Sequence, residues 1–460
     1  MCQLSPQGSW GCRVPQPLKK LSQSRRDVWV PTLTGEPIPR RLRRLTPVQA
    51  NALHLQVLKW QDAGVIEPCL HKPDPNNLVF VAKKNGAIRV CVDCTPANEV
   101  TQDFDWPLPA LQDLRHEIRG SHYFARLDLK DAFFRISVPS EYRDLTSFHD
   151  PTINTTYRFR KMPFGLKTAP SVFQRFMDTH LAPLGFGYFW YIDDILVHAE
   201  TRNALRRRVH ALRKQLRTMG CEVNEGKSEY DTRGLLFAGI WITGDSVSAN
   251  AAKTAEVLSL AAPTTKKEAQ SALGLVSYLR DFIPLVSHFT SLLYPDKSGL
   301  RLPPDEYAKE WSRLRRHLAS AISSLRHWRP NIPAQLFTDA SGTGIGVILI
   351  QGGQVVSLAS RQMTPAETRY SATDREHIAL VFAAKKFRMF LHQPAGATQV
   401  RCDHAALINR RDEDLTPKQA RWKAIVKYWM PHVTHVKGLD NPADFISRWQ
   451  VEIGGGVLKT

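Results

Sequence analysis

The chain has 460 residues, 62 Lys and Arg against 43 Asp and Glu, a formal charge of +19 and 43% hydrophobic residues. That size and apolar fraction exclude a disordered tail or one small domain and imply two to four folded units, at roughly 100–200 residues each. No apolar run approaches the ~20 residues of a membrane-spanning helix, the N-terminus lacks a signal-peptide core, and the seven cysteines are scattered without a paired metal spacing. The expectation is a soluble intracellular protein of a reducing compartment, with no membrane partner. Its surplus positive charge points to a polyanion, nucleic acid first.

Residues 1–45 lack periodicity and read as an extended basic arm, with eight basic residues between Lys19 and Arg44 against Asp27 and Glu36. The first helix opens at Thr46-Pro47-Val48-Gln49, a capping box with Pro at the first helical position, and Gly64 ends it. Leu78 to Val92 reads as a hairpin about Asn85-Gly86. Strand-like stretches at 122–129, 133–138, 188–192 and 195–198 alternate with helical ones at 107–119, 166–182 and 202–219. Residues 246–330 are predominantly helical, Thr265 through Phe282 and Tyr307 through Trp328, with a break from Pro295 to Pro304. After Pro330 come three short strands, 335–340, 344–350 and 354–359. A helix from Thr373 to about Leu391, a strand ending at Asp403, a helix at 416–429 and a strand from His432 to Val436 complete the pattern. The fold class is a multidomain mixture of α/β and α+β.

Two groups of acids carry chemistry. Asp193 and Asp194 lie between two apolar β runs. Successive strand residues face opposite ways, so adjacent acids serve one site only at a turn. Alone, the pair reads as a solvated turn. Asp128, at the end of another β run, supplies a third carboxylate. Three such groups suit hard cations, and paired Mg²⁺ ions ~3.5–4 Å apart can clamp the attacking and leaving oxygens of a phosphoryl displacement. In the second group Asp339 ends a strand, Glu376 lies in the first turn of a helix, Asp403 ends a later strand and Asp444 follows the last. These again suggest two bound metals, although Thr373 to Glu376 also reads as a capping box and Asp403 and Asp444 as element-end acids.

Basic residues concentrate on the helix 202–217: Arg202, Arg206, Arg207, Arg208, Arg213, Lys214 and Arg217, with no acid among them. This is either a solvated face or part of a phosphate track. Lys266, Lys267, Arg280, Lys385, Lys386 and Arg388 extend the second idea, each neutralised phosphate steepening the log–log salt dependence by roughly one unit.

Several words in order carry a resemblance: Lys83-Lys84-Asn85-Gly86-Ala87-Ile88-Arg89-Val90-Cys91-Val92-Asp93, Leu127-Asp128-Leu129-Lys130, Met162-Pro163-Phe164-Gly165-Leu166, Ala169-Pro170, Tyr191-Ile192-Asp193-Asp194, Asn224 with Lys227, and Phe237-Ala238-Gly239. The later ones are Ala359-Ser360-Arg361, Thr364-Pro365-Ala366-Glu367, Tyr370-Ser371, Lys386-Phe387-Arg388, Asp403-His404, and Ala443-Asp444 with Ser447-Arg448. Over nearly all of 46–450 the chain resembles reverse transcriptases of Ty3/gypsy-type long-terminal-repeat retrotransposons with a C-terminal ribonuclease H domain.

The resemblance implies a right-hand polymerase of fingers, palm and thumb, followed by a connection and a ribonuclease H-like α/β domain. The divisions would be a basic arm (1–45), fingers and palm (46–245), thumb and connection (246–330), ribonuclease H (331–450) and a tail (451–460). Asp128 and Asp193 would be the principal metal ligands with Asp194 completing the set. Asp339, Glu376, Asp403 and Asp444 would serve the nuclease. Each site would take two Mg²⁺, with Mn²⁺ as a substitute. Lys84, or equally Lys83, and Arg89 would grip a triphosphate, and Phe133 would lie under the sugar and disfavour a 2′-hydroxyl. Phe164 and Gly165 would lie beside the nucleotide, Lys227 near the palm, and Phe237 through Gly239 at the primer end. His435 falls where the family often has Tyr and other ribonucleases H place a mobile His, a position that suits proton transfer or a structural strand residue. His404 would orient its neighbourhood.

Departures from the family pattern are Cys94 and Thr95 in place of an aromatic and Arg, and Ala97 and Ala238 in place of Leu. Implied partners are an RNA template, a DNA primer, RNA–DNA hybrid, deoxynucleoside triphosphates and a second copy of the chain. The implied location is cytoplasmic, within retrotransposon particles and later nuclear, the chain being a processed product or a fragment of a polyprotein. The alternative is a catalytically silent nucleic-acid-binding subunit or scaffold.

Overall fold

The computed structural model describes residues 27–38, 40–69, 73–82, 86, 88–109, 111–283, 286–321, 324–329, 332–342, 344–391, 398–404, 415–430, 433–436 and 441. Lys83, Lys84 and Asp444 therefore lie outside the described residues. The chain forms two compact units, one ending at Ala238 and one beginning at Gly239.

In the first unit, α1 (Pro47–Asp62) starts where its capping box places it. Gln49 N–H donates to Thr46 Oγ1 at 3.3 Å and Thr46 N–H to Gln49 Oε1 at 3.0 Å. The helix buries Leu53, Val57 and Trp60 at spacings of four and three, and Gly64 turns the chain at φ +63°. Next, β1 (Ile66–Pro68) leads to a hairpin of β2 (Leu78–Ala82) and β3 (Ile88–Val92). Its register sets Ala82 opposite Ile88. Of the expected Asn85-Gly86 turn only Gly86 is described, at φ +79°, and Asn85 lies outside the described residues. After α2 (Thr95–Val100) and α3 (Leu111–Glu117) comes β4 (Tyr123–Lys130).

The strand expected at 133–138 is a 3₁₀ turn at Ala132–Arg135. Asp131 takes a left-handed φ of +48°, which breaks the extended run. Two short strands, β5 (Phe148–Asp150) and β6 (Thr155–Phe159), pair with one another, and β6 pairs on its other edge with β1. Then α4 (Ala169–Leu181), β7 (Tyr188–Tyr191), β8 (Asp194–Ala199), α5 (Arg202–Thr218), β9 (Glu222–Val223), β10 (Glu229–Thr232) and β11 (Gly234–Phe237) complete the unit. The principal sheet runs β10-β4-β8-β7, with β9 on the far end of β4. It is antiparallel, and Leu127, Ile195 and Val197 anchor its buried face.

The arm reading fails for residues 27–34. Trp29 is 1% exposed and donates its indole N–H to Thr168 Oγ1 at 2.9 Å. Backbone bonds tie Trp29 to Ser137, Thr32 to Gln102 and Thr34 to Val100, and Asp27 Oδ1 lies 2.9 Å from His180 Nε2. One buried indole fixes a segment whose basic neighbours suggest solvent.

The second unit opens with β12 (Ile240–Thr243) and β13 (Ser246–Ala249), a tight antiparallel hairpin across the expected 245/246 division. Then follow α6 (Ala251–Ser259), α7 (Lys266–Tyr278), α8 (Val286–Thr290), α9 (Pro304–Ala321) and β14 (Leu325–Arg326), which pairs with β13. A five-stranded sheet contains β15 (Ala334–Ala340), β16 (Gly344–Gln351), β17 (Gln354–Gln362), β18 (Thr398–Cys402) and β19 (Val433–His435) in the order β17-β16-β15-β18-β19. Between β17 and β18 lie α10 (Ala372–Lys386) and α11 (Arg388–Leu391), and between β18 and β19 lies α12 (Pro417–Trp429). The helices α6 to α9 are not a separate domain: Trp311, Leu314 and Val276 share one buried cluster with Phe337 and Ile348 of the sheet.

Candidate active sites

In the first unit β7 and β8 are joined by Ile192 and Asp193 alone, with Tyr191 opposite Asp194. The turn exposes Asp193 at its tip. Asp194 begins β8 directly across from Asp128 of β4, so the two side chains share a face of the sheet. Leu129 N–H donates to Asp193 O at 3.3 Å. Lys227 Nζ stands 3.7 Å from Asp128 Oδ1. The fold thus gathers Asp128, Asp193, Asp194 and Lys227, sequence-distant residues, at one end of the sheet.

The carboxyls of Asp193 and Asp194 are both raised above the ordinary value, first by loss of surrounding water. Asp128 pushes both the same way, Asp193 adds to Asp194, and Lys227 opposes. Converging carboxylates that disfavour one another's charge are a donor set for hard divalent cations. Ser228 Oγ accepts Asp128 N–H at 3.2 Å, and Asn224 N–H donates to Asp128 O at 2.8 Å, which fixes the strand from its other side.

Ile192 holds φ +58°, a position that for a β-branched residue costs of order 1–3 kcal/mol. Its N–H donates to Gln174 Oε1 at 2.8 Å. Nothing in the sequence singles out Gln174, an ordinary polar residue within an apolar helix.

Phe133 lies with its ring 5.0 Å from Phe164 and 5.4 Å from Phe173. Gly165, at φ +103°, packs against Val92 O and Cys94 Sγ, at 3.4 and 3.6 Å from where a Cβ would stand. Asn98, which the motif pattern does not single out, donates to Gly165 O and accepts from Lys167 N–H, both at 2.8 Å. Cys94 is therefore a packing residue under the Phe164-Gly165 loop, and burial pushes its thiol up to about 12. Arg89 is exposed on β3. Phe237 is fully buried, edge-on to Phe189 at 6.0 Å. It pins its strand from within the core.

The basic face of α5 is also reassigned in part. Arg202 and Arg206 pair with Asp231 at 2.9 and 3.2 Å, and Arg213 with Glu225 at 2.7 Å. Arg208 turns inward to His198 O, filling the space that a β-carbon on Gly187 would occupy. Arg207, Lys214 and Arg217 remain exposed.

In the second unit Thr338 and Cys402 are in register on parallel strands, and Asp339 and Asp403 are the residues that follow them in sequence. Asp339 is fully buried. Glu376 reaches them from α10, its Oε1 accepting Ala340 N–H at 3.1 Å. Ligand atoms of Glu376, Cys402 and Asp403 lie within 4.8 Å of one another. The capping-box reading of Glu376 fails, because the helix is capped by Ser371, whose Oγ accepts Asp374 N–H at 3.1 Å. Glu376 lies a turn later and points inward, 6% exposed.

The Cys402 thiol lies 3.9 Å from Glu376 Oε2 and is pushed up to about 12 by burial and that carboxylate. It is neutral at ordinary pH, so the oxygen donors suit a hard cation here too. His435, exposed on β19, places Nε2 3.2 Å from Asp403 O. His404 Nε2 lies 2.9 Å from Thr373 Oγ1, an orienting contact.

Residues 81–256 match the family described as reverse transcriptase (RNA-dependent DNA polymerase), and residues 329–428 match the RNase H-like domain found in reverse transcriptase. The Tf2-3 and Tf2-7 transposon polyproteins of Schizosaccharomyces pombe are each 28% identical over 452 residues, 95% of this chain and 33% of the relative. The chain thus spans about a third of the length of these relatives. Among solved structures, a foamy viral protease-reverse transcriptase in complex with double-stranded DNA superposes with a TM-score of 0.73 at 19% identity, covering 88% of this chain and 72% of that one. The same enzyme in complex with RNA/DNA hybrid gives 0.70 at 18%, covering 94% and 59%. The fold is that of a reverse transcriptase followed by a ribonuclease H-like domain.

Proposed function

We propose that the chain is an RNA-directed DNA polymerase with ribonuclease H activity that serves replication of a Ty3/gypsy-type retrotransposon. The observation that carries this reading is the cross-strand pair Asp128 and Asp194 with Asp193 on the adjoining turn, in a chain whose second unit builds another carboxylate cluster. Asp128 and Asp193, with Asp194, would hold two Mg²⁺, or Mn²⁺ in their place. When bound, such ions lower the pKa of a primer 3′-hydroxyl and stabilise departing pyrophosphate.

The protein's own groups do the rest. Lys227 offsets the charge beside Asp128. Phe133, fixed by Phe164 and Phe173, supplies bulk against a 2′-hydroxyl, and Arg89 an exposed fork for a triphosphate. In the second unit Asp339, Glu376 and Asp403, joined by Asp444, would hold the cations that activate water against the RNA strand of a hybrid. His435, with Nε2 3.2 Å from Asp403 O, would take or give a proton there. Partners on this reading are RNA template, DNA primer, hybrid, deoxynucleoside triphosphates and a second copy, and the place of action is a cytoplasmic particle and later the nucleus.

Primer extension on poly(rA)/oligo(dT) with Mg²⁺ tests the first activity. The natural chain should extend and Asp193→Asn should not. No extension by the natural chain overturns the reading and leaves a nucleic-acid-binding scaffold. Hybrid degradation undiminished by Asp339→Asn would remove that residue from the nuclease.

A further inference from the structure

Asp178, on α4, accepts three hydrogen bonds from neutral side chains. Its Oδ1 takes Trp190 Nε1–H at 2.7 Å and Gln174 Nε2–H at 2.8 Å, and its Oδ2 takes Trp106 Nε1–H at 2.6 Å. Gln174 and Asp178 are four apart on one helix, hence on one face. Gln174 is 1% exposed. Because its amide nitrogen donates to the carboxylate, its oxygen must point the other way, and it accepts Ile192 N–H at 2.8 Å. Ile192 is the left-handed residue immediately before Asp193, and Trp190 lies two residues before Ile192, on β7. One carboxylate thus grips the β7–β8 turn twice, by the Trp190 ring and through the Gln174 amide. A β-branched residue at positive φ persists only where its surroundings over-determine it, and these bonds supply the determination.

We infer that Asp178 is a positioning residue of the polymerase site, acting through Gln174 and Trp190 to hold the Ile192-Asp193 turn where Asp193 faces Asp128. The inference rests on the polymerase reading for its consequence and on the hydrogen-bond chain for its geometry. Asp178→Asn preserves shape but offers an N–H where only acceptors fit. Where that N–H faces Gln174, the Gln174 amide rotates to accept it, which turns its own N–H toward the N–H of Ile192; where it faces Trp106 instead, the Trp106 bond is lost. Combining Asp178→Asn with Gln174→Glu reverses the polarity of the pair and restores an oxygen to Ile192.

The test uses the full chain. Amide hydrogen exchange of the 190–194 segment, without metal, should quicken in Asp178→Asn and return toward the natural rate in the combined variant. In primer extension, the Mg²⁺ concentration for half-maximal rate should rise roughly 10–100-fold in Asp178→Asn, the scale of outer-shell partners, and fall back in the combined variant. KM for primer–template should hold. Loss of thermal stability with unchanged exchange at the turn and an unchanged Mg²⁺ midpoint overturns the inference and makes Asp178 a structural brace. Should the natural chain extend no primer, the polymerase reading fails, and turn exchange alone decides whether Asp178 governs the turn.

Discussion

The phenolic oxygen of Tyr278 stands where a β-carbon on residue 239 would have to lie, so Gly239 is enforced by an aromatic side chain as well as by its own φ of +81°. Gly239→Ala should cost about 1–3 kcal/mol by overpacking and a further 1–2 kcal/mol in the left-handed backbone. A urea-unfolding cycle with Tyr278→Ala separates the two. A coupling of about 1–3 kcal/mol is expected, since removing the ring removes only the steric part. Strictly additive costs would show that the ring moves aside freely.

How far the sequence carries the structure differs residue by residue. Asp128, Asp193 and Asp194 are legible because strand periodicity demands a turn at an Asp-Asp pair and the surrounding words are distinctive. The Thr46 capping box is legible because it is local. Trp29 is not, since one indole among arginines has no period, and its partner Thr168 lies 139 residues away. Nor are the roles of the α5 arginines, because Glu225 and Asp231 arrive after the helix ends. Residues 133–138 look like a strand because their apolar content fits one, while the deciding event is the backbone of Asp131. The Asp178 network joins residues 72 and 12 apart, beyond any local pattern.

Trp29 should be worth more than its place in a basic segment suggests. Trp29→Ala opens a cavity in the first unit's core and should cost about 3–5 kcal/mol. Trp29→Phe keeps most of the ring and loses the bond to Thr168, about 1 kcal/mol. Thermal unfolding followed by far-ultraviolet circular dichroism ranks the two. Equal small effects would mean that residues 27–34 contribute little to the unit.

Arg361 and Glu367 form a pair in the second unit, with Nη1–Oε2 at 2.6 Å and Nη2–Oε1 at 2.8 Å. The Arg361 guanidinium, with Thr364 N–H, holds the Glu367 carboxyl down at about 2, against an ordinary value of 4.5. A lowered folded value stabilises the fold above the unfolded pKa and loses that contribution as pH falls toward the folded one. The full contribution is roughly 3 kcal/mol at pH 6, falling to roughly half by pH 3. Urea unfolding of the natural chain and Glu367→Gln across that range should show the difference shrinking with acid. A constant difference would remove the pair as its cause.

Cys402 and Glu376 approach one another in the second unit's candidate site, but only the carboxylate is charged at neutral pH, because burial and Glu376 itself keep the thiol protonated. A neutral thiol is a poor ligand for a hard cation, while a carboxylate is a good one. Cys402→Ala should therefore leave hybrid cleavage within a few-fold of the natural chain, at a stability cost of about 1 kcal/mol for the lost buried atom. Glu376→Gln should lower cleavage by at least about 100-fold, the scale of losing one electrostatic partner at a reacting centre. Primer extension should be retained in both, because the two carboxylate clusters lie in different compact units. Cleavage abolished by Cys402→Ala in a protein of normal melting temperature would show instead that the sulfur is a ligand.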